Sequence, residues 1–200
     1  MKKLDRASLI RDLETELHYK RFIHTLSVAY TATSLAMCYG ADVEKAEIAG
    51  LLHDCAKCMD LKKMIRICEK AGLSVSDIER GSGALLHSKA GSVLVTEKYG
   101  YTDPDIVNAV RYHTTGRPGM SLLEKIIFVA DYMEPGRDVA EELPEVRKLA
   151  FGSYTIDDAV LKILEDSLIY LKSTGREIDP MTQRTYDFYK RDNEARAYYD

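Results

Sequence analysis

Residues 51–57 read LLHDCAK, a segment that places an imidazole beside a carboxylate in otherwise apolar surroundings. Burying His53 and Asp54 there is costly unless each has a partner, and a metal ion is the usual one. Adjacent residues of a helix point about 100° apart, so both can reach one ion only from a helix end or beside a second helix. The segment therefore predicts further ligands from elsewhere in the chain. The candidates are His24, His87, His113 and Asp131.

The composition narrows the class of protein. The chain has 200 residues, of which 46% are hydrophobic and 30% charged, so it suits one domain spanning residues 1–200. A net charge of -4 argues against a general nucleic-acid or membrane-surface binder, because such proteins usually carry a basic excess. No run approaches the roughly 18 apolar residues of a membrane span, and no signal segment is visible. We expect a cytoplasmic protein with no nucleic-acid or membrane partner.

Apolar periodicity predicts helices along the whole chain, without a period-2 pattern bounded by turn residues. The fold class is therefore all-α, a single helical bundle with a core at about 19–175 and a C-terminal helix at 180–200. Residues 19–39 are apolar or small on every face, which predicts a central core helix. The C-terminal helix could support a homodimer, although packing on its own domain is the preferred interpretation. Its tyrosines are Tyr186, Tyr189, Tyr198 and Tyr199.

Small residues accompany His53 along one helical stripe, which contains Ala46, Ala49 and Gly50. Such residues let another backbone approach closely, as a compact group of ligands requires. The Cys55/Cys58 pair is a lone CxxC motif. It could be a redox pair or half a zinc site, but we interpret both residues as free thiols without a role.

A histidine on a helical stripe is usually a core or surface residue, and His18 is interpreted in that way. Four of the five histidines and two aspartates, however, fall at core-facing positions or ends of successive predicted helices. Nitrogen and carboxylate donors suit iron, manganese, zinc or cobalt better than calcium. One ion could be held by His24, His53, Asp54 and Asp131. His87 and His113 could complete a second ion with Asp54 bridging, or bind phosphate directly.

Several cations and hydroxyls lie where they could contact an anion. Lys57 follows His53 by one helical turn, and Thr114 follows His113 at a predicted helix end. Arg21 and Arg137 could supply guanidinium groups to a phosphate. The alternatives to a phosphate contact are that the lysine is simply exposed to solvent and that the arginines form ion pairs at the surface.

The segments 51–57, 113–116, 120–126 and 130–137 resemble the HD-domain metal-dependent phosphohydrolases. The last of them, ADYMEPGR, is the most specific, and the closer resemblance is to the bacterial YqeK branch. It spans about residues 19–175. The resemblance implies an all-α HD domain that cleaves diadenosine tetraphosphate symmetrically to two ADP, with iron at the site.

The resemblance also implies roles for individual residues. His24, His53, Asp54 and Asp131 would hold the metal, which could be one or two irons, with manganese or cobalt as other possibilities. The nucleotide phosphates would contact Lys57, His87, His113, Thr114 and Arg137. We add Arg21 to the substrate-binding candidates and assign catalysis to Asp54 and Lys57. The alternatives are hydrolysis of another nucleotide phosphoester and a non-catalytic nucleotide sensor.

Overall fold

The structure is a computed structural model that describes residues 5–137, 143–152 and 155–199, with side chains through residue 196. These residues form α-helices and no strand, so the all-α prediction is confirmed. Within the described ranges, no helix combines the length and apolar character that crossing a membrane requires. The helices are α1 (Arg6–Glu16), α2 (Tyr19–Tyr39), α3 (Val43–Leu52), α4 (Leu61–Lys70), α5 (Asp77–Gly81), α6 (Gly83–Glu97), α7 (Pro104–Tyr112), α8 (Leu122–Met133), α9 (Leu143–Gly152), α10 (Asp157–Ser173) and α11 (Pro180–Tyr199).

Short polar side chains begin most of these helices. Ser76 and Ser121 form capping boxes, in which the serine hydroxyl accepts from the third helical N–H and a glutamate accepts from the serine N–H. The first box opens α5, a helix of one turn. Asp42 and Asp103 cap α3 and α7, and Pro104 stands at the first helical position.

Helix α2 meets α3 through backbone rather than through long side chains. A Cβ atom built on Gly50 would lie 2.7 Å from Ala29 Cα and 3.1 Å from Ala29 N. Real Cβ atoms do not approach other atoms so closely, so only glycine allows this contact. The predicted close approach at the small-residue stripe is confirmed. It brings the end of α3, and therefore His53, against α2.

Gly50→Ala is expected to destabilise the protein by about 1–3 kcal/mol, because the new methyl group meets backbone that cannot move aside. This loss outweighs the helix-propensity gain of up to about 1 kcal/mol. Urea unfolding followed by circular dichroism measures the change. Gly81→Ala is the control, since its Cβ would enter open space. Equal stabilities of the two variants would contradict the packing argument.

The predicted central core helix, α2, lies in the core along one side and is exposed along the other. Val28, Leu35 and Ala36 are fully buried, but Tyr30 and Met37 are 56% and 66% exposed. Helix α2 packs on α3 and α8, and Tyr30 and Met37 lie on the side that meets solvent. Hydrophobic character alone does not show which side of a helix a neighbour covers.

The C-terminal helix packs on its own chain. Tyr189 is 2% exposed, and its hydroxyl oxygen accepts a hydrogen bond of 3.0 Å from Met120 N. Tyr186 packs partly buried against the same core. The side chains of Tyr198 and Tyr199 lie outside the described part of the structure.

Candidate metal centre

Five helices bring the predicted ligands together. His24 lies on α2, whereas His53 and His113 are the residues that end α3 and α7. Asp54 is in the turn that follows α3. His87 and Asp131 lie on α6 and α8. His53 and Asp54 therefore stand at a helix end beside other helices. Two adjacent residues need this arrangement to reach one ion.

The first ligand group consists of His24, His53 and Asp131, whose ligand atoms all lie within 4.8 Å of one another. Nε2 of His24 lies 3.0 Å from Asp131 Oδ1 and 3.3 Å from His53 Nε2. His53 Nε2 lies 3.8 Å from the same Asp131 oxygen. Three donors with this spacing can surround one ion.

The second ligand group consists of Asp54, His87 and His113. Nε2 atoms of the two histidines lie 3.0 Å apart, at 3.0 and 3.8 Å from Asp54 Oδ1. The other oxygen, Oδ2, faces the first group, at 3.3 Å from His53 Nε2 and 3.7 Å from His24 Nε2. One carboxylate therefore offers one oxygen to each group.

Each imidazole directs Nδ1 away from the centre towards an oxygen. His53 Nδ1 lies 2.6 Å from Gly50 O, and His113 Nδ1 lies 2.7 Å from Val110 O. The corresponding oxygens for His87 and His24 are Gly83 O at 3.3 Å and Glu134 Oε1 at 3.1 Å. A carbonyl can only accept, so Nδ1 carries the hydrogen and Nε2 of the neutral ring carries a lone pair.

These residues fit metal ions better than they fit one another. Neutral imidazoles in these tautomers turn lone pairs towards each other across 3.0 and 3.3 Å, which is unfavourable unless a cation lies between them. Asp54 Oδ1 is buried and accepts no well-aligned hydrogen bond from the described residues. Unsatisfied buried carboxylate oxygens are costly. The centre can therefore hold divalent metal.

The pKa values of four ligands favour the forms that bind a metal, which are the ionised carboxylate and the neutral imidazole. Burial raises the pKa of the Asp54 carboxyl, but His53 and His87 outweigh burial and hold the pKa well below its usual value. Asp131 behaves similarly: burial raises the pKa of its carboxyl, but the neighbouring His24 and His53 side chains outweigh burial and lower the pKa. Burial lowers the pKa of His87, and burial together with His87 lowers the pKa of His113 to about 3. The pKa of His53 is raised, because Asp54 and Asp131 outweigh its burial.

We expect the metal-free protein to lose stability as the pH falls from 6.5 towards 3. The pKa of His113 is about 3 in the folded chain and about 6.5 in the unfolded chain, so only the unfolded chain takes up this proton. His113 alone then contributes a slope of up to about 1.4 kcal/mol per pH unit. Urea unfolding of chelator-treated wild-type and His113→Gln proteins across this range measures it. Identical slopes for the two proteins would contradict the assignment.

Three residues of the centre, His87, His113 and Asp131, line a cavity of about 680 Å³. Lys57 lines it with Nζ 3.2 Å from His87 Nε2 and 3.8 Å from Asp54 Oδ1. Thr114 also lines it, and Thr114 Oγ1 is buried without a hydrogen-bond partner in the described residues. The cavity thus combines metal ligands, a cation and an unsatisfied hydroxyl.

The two arginine candidates lie in different places. Arg137 lines the cavity, and its guanidinium donates to Asp131 Oδ1 at 2.9 Å and to Asp131 O at 3.1 Å. Arg21 instead donates to Asp54 Oδ2 at 2.7 Å and does not line this cavity. A phosphate contact of Arg21 stays a prediction.

Sequence reasoning missed two residues of the surroundings. Glu134, which lies in the 130–137 segment but was given no role, is 3% exposed and contacts His24. Arg147 on α9 donates to the carbonyl oxygens of Met133, Glu134 and Arg137 at 3.0, 3.1 and 2.9 Å. A carboxylate at the C-terminal end of a helix opposes the helix dipole, and this was the available signal for Glu134.

The predicted CxxC has no place in the centre. The Cys55 side chain is buried and lies 3.8 Å from Gly91 O, and burial raises the pKa of its thiol. Cys58 is a free thiol as well, in agreement with the interpretation from sequence.

Comparison with known proteins places this geometry in a family. The HD domain model matches residues 21–136, which include all six candidate ligands. A relative from Halalkalibacterium halodurans is 40% identical over 92% of this chain and 96% of its own length, and one from Bacillus subtilis is 37% identical over 92% and 97%. Both are named symmetrical bis(5'-nucleosyl)-tetraphosphatase.

A solved structure described as an HD superfamily member has a closely similar fold. The crystal structure from Clostridium acetobutylicum is described as a predicted HD superfamily hydrolase involved in NAD metabolism. It is 38% identical, with a TM-score of 0.90 over 94% of this chain and 98% of that chain. The family model covers more than half of the chain, and the ligand geometry lies inside the matched segment. The chain belongs to the HD domain family.

Proposed function

We propose that this protein is a metal-dependent hydrolase that cleaves diadenosine tetraphosphate symmetrically into two ADP. The observation that carries the proposal is the pair of ligand groups sharing Asp54 beside a cavity lined by Lys57, Thr114 and Arg137. The names of the relatives from Halalkalibacterium halodurans and Bacillus subtilis support the substrate.

In this proposal His24, His53 and Asp131 would hold one metal ion and His87 and His113 a second, and Asp54 directs one oxygen towards each group. Iron is the proposed metal, and manganese or cobalt are the alternatives, because the donors are imidazole nitrogens and carboxylate oxygens. Elemental analysis of freshly purified protein tests the metal. Bound zinc alone would contradict iron.

Divalent ions at such a centre supply a nucleophilic water at neutral pH and neutralise charge on a phosphate. The residues of the chain bind and orient the polyphosphate. The Lys57 ammonium is 29% exposed and directed at the centre, so it can contact a phosphate oxygen there. Arg137, 40% exposed, offers a guanidinium to the next phosphate along the cavity. Thr114 Oγ1 supplies a hydrogen-bond donor.

The rest of the cavity suits the nucleoside. Its volume of about 680 Å³ lies in the usual range for small-molecule pockets. Phe128, Leu143 and Ile163 give it an apolar wall, against which an adenine ring can pack. A site that grips one nucleoside diphosphate and releases the other accounts for symmetrical cleavage.

Chromatography of the products tests the proposal directly. Protein loaded with Fe²⁺, Mn²⁺ or Co²⁺ should convert diadenosine tetraphosphate to ADP as the sole product. ATP plus AMP would contradict symmetrical cleavage. Turnover of a nucleoside monophosphate or a cyclic dinucleotide instead would indicate another phosphoester substrate. Binding of the dinucleotide without hydrolysis would indicate a sensor.

A further inference from the structure

A buried glutamate outside the ligand set holds one of the proposed ligands. Glu134 follows the last residue of α8 and is 3% exposed. Its Oε1 lies 3.1 Å from His24 Nδ1, and its Oε2 accepts from Gly136 N at 2.5 Å. Both carboxylate oxygens are therefore engaged, one by the imidazole and one by the backbone of the following turn.

The surrounding turn is built to keep this carboxylate in place. A Cβ atom on Gly136 would lie 3.0 Å from Glu134 Oε2 and 3.1 Å from Oε1, so the glycine leaves space for the carboxylate to fold back. Arg147 donates to the carbonyl oxygens of Met133 and Glu134 from α9. The backbone on both sides of Glu134 is thus tied to a neighbouring helix.

His24 differs from the other three imidazoles in this respect. The Nδ1 atoms of His53, His87 and His113 face neutral backbone carbonyls, whereas Nδ1 of His24 faces a carboxylate. A carboxylate on the far nitrogen fixes the ring orientation and makes the metal-facing nitrogen a stronger donor.

We propose that Glu134 is a positioning residue, which acts through His24 to strengthen metal binding at the His24/His53/Asp131 group. This inference rests on the metal centre of the proposed function. It adds that the two ligand groups differ in the support that their histidines receive. The first group receives the support of a charged partner, and the second group does not.

Glu134→Gln separates this role from simple packing. Glutamine has nearly the same shape but one acceptor oxygen, whereas glutamate serves two N–H donors. With its oxygen on Gly136 N, the amide NH₂ faces His24 Nδ1 and favours the tautomer that places hydrogen on Nε2. With its oxygen on His24, the amide faces the Gly136 N–H and the turn loses its bond. Either arrangement weakens the first ligand group.

Titration of metal-free protein with Mn²⁺, with free Mn²⁺ followed by electron paramagnetic resonance, measures the effect. We expect Glu134→Gln to weaken the binding of one ion by about 10–100-fold. Gly136→Ala leaves the glutamate in the chain but crowds its carboxylate, so it should weaken Mn²⁺ binding in the same direction. This second variant decides the question if Glu134→Gln does not fold.

Glu124→Gln is the matched control. Glu124 is 1% exposed at the opposite end of α8, where it pairs with Arg117 and accepts from Ser121 N. It should lower the melting temperature without changing Mn²⁺ affinity. Wild-type affinity in both Glu134→Gln and Gly136→Ala would overturn the inference, as would an equal loss in Glu124→Gln. Wild-type protein that binds no Mn²⁺ and does not hydrolyse the dinucleotide would instead overturn the proposed function.

Discussion

Asp54→Asn should lose most bound metal and at least about 1,000-fold of the turnover of diadenosine tetraphosphate. Among the described residues, Asp54 places one carboxylate oxygen near each ligand group, with Oδ1 at 3.0 Å from His87 Nε2 and Oδ2 at 3.3 Å from His53 Nε2. Asparagine keeps the shape but loses the charge and one acceptor oxygen. Metal activation is worth several kcal/mol, and about 4 kcal/mol corresponds to a factor of 1,000.

The measurement combines metal content with turnover at saturating substrate. Asp60→Asn is the matched control, because Asp60 is exposed and caps α4 through the N–H groups of Lys62 and Lys63. Asparagine is an equally good N-cap, so this variant should keep wild-type metal content and rate. An Asp54→Asn protein that retains both metal and activity would rule out the shared-carboxylate centre.

Lys57→Ala should keep its metal and lose about 100- to 1,000-fold in turnover, the effect of removing one preorganised group that stabilises developing charge. Lys57 Nζ lies beside His87 and Asp54 at the wall of the cavity, where a phosphate oxygen would lie. Its ammonium cannot bind a metal, so metal content should not change.

Lys62→Ala provides the comparison, since Lys62 carries the same charge on the exposed face of α4. It should leave both rate and metal content at wild-type values. Equal kcat values for Lys57→Ala and wild type would show that the charge of Lys57 does not act on the reacting phosphates.

Much of this arrangement could be predicted from local patterns. His53 and His113 were found because a polar residue stood on a small or apolar stripe near the end of a helix, where its side chain can meet other helices. Gly50 marked the close contact of α2 and α3 in the same way. Each of these signals is contained in one short segment, so the local sequence was sufficient to predict these three positions.

The remaining features depend on contacts between distant segments. The exposed side of α2, with Tyr30 and Met37, has the hydrophobic character of a core helix and could not be distinguished from one. Arg147 reaches the 133–137 turn from another helix, and no local sequence pattern indicates this contact. A homodimer and a cytoplasmic location stay predictions.

The facing lone pairs of the four histidines have a consequence for the heat resistance of this protein. Because these nitrogen donors repel one another, part of the free energy of unfolding of the protein depends on the metal ions that separate them. Its melting temperature should therefore follow the free cation concentration, with about 2.7 kcal/mol added by one ion at a hundredfold excess over its Kd. The concentration of free metal ions would then determine the thermal stability of the protein as well as its rate of turnover.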